Sequence, residues 1–311
     1  MTAPDAPHGR HRILVGVDDS AGGAAALRYA TAEARGTGAG LHLLHVVPDY
    51  RAMSPMLPLI PDDLERTGRA ILGHAAARAV EDLGADAVAT TLVNGRRVAC
   101  LVEAATRSTS VVLGRETPSR RERIASGATT IGVAARASCP VVAVPLGWEP
   151  GAARGRVAVG LKGGTHPRPL LQRAFREAAR RDAELVVVHA WRLAGGYDDL
   201  IARRTGEQEW SDVVRTQVAP HLEEGRAAYP GVRVSLQVVH SEASRALVEV
   251  SRSADLLLIA RPRHLVPGAY LGATGRVVVT AAACPVEVVP AGVTAGRVVV
   301  PDSQQLGRTG P

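Results

Sequence analysis

Aromatic residues make up only 3% of this 311-residue chain, with a single phenylalanine, and lysine occurs once, at Lys162. So few rings leave no platform on which unpaired bases could stack. Arginine therefore carries nearly all of the positive charge behind the net +7. The arginines are scattered and often sit beside Glu or Asp, as in ARRDAE (179–184), which reads as a solvated surface and makes nucleic acid an unexpected partner. Cysteine is scarce too: Cys100, Cys139 and Cys284 show no paired or metal-ligand spacing, so structural thiols are expected rather than a disulfide frame. No His/Glu/Asp cluster has zinc spacing. Long hydrophobic runs are missing; nothing approaches the roughly 18 uncharged apolar residues that span a bilayer. MTAPDAPHGRHR at the start has no apolar core of a signal, so residues 1–11 are expected to form a disordered leader and the product to stay cytoplasmic.

What is abundant is Ala, Val and Leu, within a hydrophobic share of 46%. These residues fall into an internal repeat. RILVGVDDS (12–20) matches RVAVGLKGG (156–164), and LHLLHVV (41–47) matches LVVVHAW (185–191). ACLVEAATRSTSVVLGR (99–115) matches RALVEVSRSADLLLIAR (245–261), and ASCPVVAVP (137–145) matches AACPVEVVP (282–290). Four blocks in one order, with the offset held between 144 and 146, establish a duplication.

In each copy, short Val/Ile/Leu runs alternate with longer Ala-rich stretches. The first copy predicts strands near 12–18, 41–47, 87–93, 110–114 and 141–145, with helices near 21–36, 62–83, 97–107 and 125–138. The second predicts strands near 156–161, 184–190, 232–239, 255–260 and 286–289, with helices near 168–182, 200–228, 242–253 and 271–283. Apolar strands separated by helices indicate a parallel sheet buried on both faces, with right-handed crossovers. The fold class is thus α/β: two tandem, doubly wound, five-stranded parallel-sheet domains of Rossmann-like type. The expected division is domain 1 at 12–147, a linker at 148–155, domain 2 at 156–290 and a loose tail at 291–311, in which RVVVP (297–301) could add an edge strand.

In such sheets ligands lie at the carboxyl ends of strands where the strand order reverses. Asp18 closes the first strand, suited either to hydrogen-bonding a ligand or, with Asp19 and Ser20, to capping the next helix. The fourth-strand loop GRETPSRRERIASGATT (114–130) holds Gly114, Gly127, Thr129 and Thr130, with Arg115, Arg120, Arg121 and Arg123 between them. Glycines leaving a strand and opening a helix expose amide donors to anions; an ordinary loop with solvated charge is the competing interpretation. His45 and His189 read as satisfied strand-end histidines. Nothing resembles a nucleophile elbow or a Ser/His/Asp set, so no enzyme is expected.

Along 12–290 the chain resembles the universal stress protein family. The carrying residues are VGVDDS, the HV of the second strand, LVEAA, the glycine-containing fourth loop and CPVVAVP. The nucleotide-binding branch of that family has Gly-x2-Gly-x9-Gly-[Ser/Thr] at this loop. The resemblance implies an ATP site in domain 1 formed by Val17, Asp18, Val47, Gly114, Arg115, Thr117, Gly127, Ala128 and Thr129. Thr117 stands where the second glycine belongs, and Ala128 replaces the hydroxyl residue. In copy two, Lys162 takes the place of Asp18, and Ala260 and Arg263 stand in glycine positions, so the ATP mode is not expected there; Lys162, Arg261 and Arg263 are candidates for a different anion site. The resemblance further implies a non-catalytic stress-response protein whose fifth strands, Val141–Val144 and Val286–Val289, pair to form an intramolecular pseudo-dimer able to dimerise further. An interaction scaffold without nucleotide is the alternative.

Overall fold

The computed structural model describes residues 12–48, 61–115, 126–151, 153–161, 168–192, 207–262 and 271–290. The expected leader and tail, with RVVVP, lie outside them, as do Thr117, Arg120, Arg121, Arg123, Lys162 and Arg263. The amino-terminal half runs β1 (Arg12–Gly16), α1 (Ala21–Thr37), β2 (Gly40–Val47), α2 (Pro61–Leu83), a 3-10 turn (Ala85–Ala87), β3 (Val88–Asn94), α3 (Arg97–Ala105), β4 (Ser110–Gly114), α4 (Ser126–Ala134) and β5 (Val141–Val144). The other half runs β6 (Arg156–Leu161), α5 (Arg168–Arg180), β7 (Glu184–Trp191), α6 (Glu207–Ala228), β8 (Val234–His240), α7 (Ala243–Ser251), β9 (Leu256–Ala260), α8 (Gly272–Ala281) and β10 (Val286–Val289).

Local chemistry sets the element ends. Ser20 caps α1, its Oγ accepting from the Gly23 N–H at 3.0 Å, and Gly38 closes the helix in the left-handed region at φ 68°. Asp182 holds the same position after α5, at φ 49°. The first strand ends at Gly16, two residues before the predicted end, because Asp18 is drawn into the cap of α1. Likewise α4 stops at Ala134, short of the predicted 138, where the Arg136 and Ala137 amides both turn back onto the Val133 carbonyl.

The ten strands among the described residues form one sheet in the order β3-β2-β1-β4-β5-β10-β9-β6-β7-β8. Each half contributes a parallel five-stranded unit, and the fifth strands join antiparallel, with Val142 opposite Glu287. The expected pairing of the fifth strands is therefore present. On the α3/α4/α7/α8 side a single apolar core passes from one half into the other through Val141, Ala143, Val286 and Val288. On the α1/α5 side each half keeps a separate core. Among the described residues no helix is long and apolar enough to cross a membrane.

Charge fills the gap between those separate cores. Arg181 bonds Glu33 at 2.6 Å and the Tyr29 hydroxyl at 3.2 Å, while Arg180 pairs with Glu33 and, at 2.9 Å, with Glu177. Arg173 pairs with Glu287, which is 2% exposed. Burial alone would raise the Glu177 carboxyl, but Arg181, Arg180 and Arg173 outweigh it and bring it from 4.5 down to about 2. A carboxyl depressed in the folded state stabilises fully above its unfolded value and loses that contribution as pH falls. Stability is thus expected to drop by about 3 kcal/mol between roughly pH 4.5 and pH 2 through this group alone, from about 1.4 kcal/mol per pKa unit. Chemical denaturation across that range should show a flatter profile for Glu177→Gln.

On the opposite side two arginines cross the seam. Arg115, after β4, donates to the Val279 carbonyl at 3.3 Å; Arg261, after β9, donates to Ala137 at 2.7 Å and Ala134 at 3.5 Å. Each guanidinium meets carbonyls at the end of the other half's α4 or α8, the negative end of that helix.

Candidate functional site

Within the amino-terminal half the strand order reverses between β1 and β4. A cleft opens there at the carboxyl ends of the strands, floored by Leu44, Leu101 and Leu113 and rimmed by Val17, Asp18, Ser20, Arg97, Gly114, Thr129 and Thr130. Short range geometry fixes the polar rim. Asp18 Oδ1 accepts from the Ser20 amide at 3.2 Å and the Ser20 hydroxyl at 2.5 Å. Ser20 is therefore the cap and Asp18 the residue that orients it, which leaves the Asp18 carboxylate on the cleft. A Cβ on Gly23 would run into that carboxylate, so the glycine is what lets Asp18 sit against the first turn of α1.

His45, at the end of β2, bonds the Val17 carbonyl through Nδ1 at 2.8 Å, a strand-end histidine with a partner. Thr130 donates to the Gly114 carbonyl at 3.1 Å, tying the start of α4 to the end of β4. Thr129 lines the cleft beside it. The floor is tight. A Cβ on Gly16 would stand 2.5 Å from Leu113 Cδ2 and 3.4 Å from Leu101 Cδ2, and the cavity holds about 60 Å³.

The sequence-derived residues fall into three groups. Val17, Asp18, Gly114 and Thr129 meet at the cleft. Gly127 and Ala128 lie in the first turn of α4. Val47 and Arg115 do not line the cleft: the Val47 side chain faces Gly68 of α2, its Cγ2 3.2 Å from where a Cβ on that glycine would stand. Arg115 is half-buried and turns its guanidinium across the seam to the Val279 carbonyl, outside the cleft lining. Burial pushes its pKa down, and its Nε is buried without a partner among the described residues. Arg261 turns the same way, its guanidinium donating to the Ala137 carbonyl of the other half.

Arg97 was missed. It opens α3, whose first turn has no side-chain cap, and it reaches the cleft from an element with no glycine signal. Its clue was position, at the start of the helix before LVEAA. In copy two Trp191 occupies the place of Val47 and packs edge-on against His240, with ring centroids 4.5 Å apart. Cys139 and Cys284 are buried, and burial pushes their thiols to about 11 and about 12, in keeping with structural roles. Among the described residues no group of His, Cys, Asp and Glu could hold a metal ion.

Comparison with known proteins agrees with this architecture. The family model described as the universal stress protein family matches residues 9–145 and again 153–290. A universal stress protein of Mycobacterium tuberculosis is 31% identical over 293 residues, covering 90% of this chain and 97% of its own length. One from Mycolicibacterium smegmatis is 29% identical, covering 89% and 96%. Among solved structures, a universal stress protein from Archaeoglobus fulgidus superposes with a TM-score of 0.64 at 15% identity, covering 90% of this chain and 96% of that one, a likeness of fold. With two family matches in tandem on two halves of one sheet, the chain belongs to the universal stress protein family.

Proposed function

We propose that the amino-terminal half binds an adenine nucleotide, ATP foremost, and that the chain acts as a non-catalytic, cytoplasmic stress-response protein. One observation carries the proposal: Asp18, Gly114 and Thr129, far apart in sequence, line one cleft at the strand-order reversal. In this reading the Asp18 carboxylate accepts from ribose hydroxyls. The apolar floor suits the face of a base. Thr129, the amides opening α4 and Arg97 supply donors for phosphate.

A second reading, an interaction scaffold that takes no nucleotide, is favoured by the small cavity. Its 60 Å³ falls well below the roughly 300 Å³ at the lower end of ligand pockets. Under the nucleotide reading the ends of Leu101 and Leu113 give way to the base.

The two are separated by analysing nucleotide released on heating the purified chain and by titrating it with ATP. Nucleotide binding is expected, with Asp18→Ala weakening it about tenfold to a hundredfold, the equivalent of one hydrogen bond of roughly 1.5–3 kcal/mol to a charged group. Thr129→Ala should weaken it less while leaving the α1 cap intact. Absence of binding at millimolar ATP would establish the scaffold instead.

A further inference from the structure

The charged seam is not symmetric, although the strands that cross it are. By the repeat, Glu287 is the counterpart of Val142, Arg173 of Tyr29 and Glu177 of Glu33. The antiparallel register sets Val142 directly opposite Glu287, so the pseudo-twofold axis passes between two equivalent positions, one apolar and one acidic. Around it the amino-terminal half supplies Tyr29 and Glu33, and the other half supplies Arg173, Glu177, Arg180, Arg181 and Glu287. Three guanidinium groups therefore face three carboxylates only when unlike halves meet.

Self-pairing in the same register breaks that balance. Two amino-terminal halves would bring Glu33 against Glu33 with no guanidinium from this group and leave both Tyr29 hydroxyls without Arg181. Two carboxy-terminal halves would put Glu287 directly opposite Glu287, where like charges across a strand pair are destabilising, and six guanidinium groups against four carboxylates. The other side of the sheet does not discriminate, since Arg115 and Arg261 reach across in matching ways.

We propose that this seam is a heterotypic recognition surface: each half accepts the opposite half, from its own chain or from a second copy of it, and rejects its own kind. The charges set the choice of partner, and the shared apolar core on the other side holds whichever pair forms. The discriminating set is Glu33, Val142, Arg173, Arg180, Arg181 and Glu287.

The test keeps the folded full-length chain and cuts it afterwards. A protease site is inserted in the exposed stretch 149–151, the purified protein is nicked, mixed with an isotopically heavy copy, and weighed by native mass spectrometry. Only amino–carboxy pairs are expected, including light–heavy exchanged ones. The variant Arg173→Leu/Arg180→Gln/Glu287→Val leaves one guanidinium and one carboxylate in that half's share and removes the opposed acids. It should yield carboxy–carboxy pairs as at least about a tenth of the complexes. Like-with-like pairs from the unsubstituted protein, separation into single halves, or a folded variant still free of carboxy–carboxy pairs would each overturn the proposal. The unsubstituted protein decides by itself if the variant does not fold.

Discussion

Gly114→Ala is expected to destabilise the chain by about 3 kcal/mol, the upper end of what overpacking costs, and to lower its Tm by roughly 6–12 °C. A Cβ at this position would fall on the carbonyl carbon and oxygen of Gly22, in the first turn of α1. Nothing flexible is available to move, because both partners are backbone. The contact is reciprocal, since a Cβ on Gly22 would lie 2.8 Å from the Arg115 carbonyl oxygen. The two glycines let the end of β4 and the start of α1 touch, which closes the cleft on one side. Gly73 is the control: it sits inside α2 with nothing near its missing Cβ, so Gly73→Ala should stabilise by up to about 1 kcal/mol. Differential scanning calorimetry reads both. Equal and small effects would show that α1 shifts away from β4 without penalty.

The alternation of apolar strands and Ala-rich helices, together with the four repeated blocks, contained the architecture, because burial on both sheet faces leaves little choice of period. The meeting of the fifth strands was legible from the repeat and the family resemblance. Gly114 was legible too, yet for a different reason from the one that now dominates: its nearest neighbour is Gly22, the second residue of α1, two residues past the repeated block 12–20 and with no marker for that contact. The turn of Arg115 and Arg261 across the seam was not legible, because a charged residue in a loop gives no sign of which half it will serve. Arg97 and the ion network were invisible for the same reason. They depend on α3 and α5 being brought to places that only tertiary packing sets, and single arginines in an Arg-rich chain do not stand out.

Arg173→Ala should have the larger effect, about 3–5 kcal/mol at neutral pH, the usual result of breaking a buried ion pair from one side. Glu287 would be left in the sheet, 2% exposed, facing Val142 across the strand pair. Desolvation already pushes its carboxyl above the usual 4.5, with Arg173 pulling it back. Without Arg173 the upward push stands unopposed. A carboxyl raised in the folded state keeps its stabilising contribution below the unfolded value and loses it as pH climbs through the folded one. The damage in Arg173→Ala should therefore be small near pH 4 and grow above about 4.5, whereas the Glu177 contribution runs the other way and fails only in acid. Replacing both members, Arg173→Leu with Glu287→Val, should recover most of the loss at neutral pH, because an apolar pair needs no solvation. Urea denaturation of the three proteins at pH 4, 5.5 and 7 separates these effects. A penalty in Arg173→Ala that does not change with pH would mean that Glu287 finds another cation or water, and that the seam is less dry than its packing indicates.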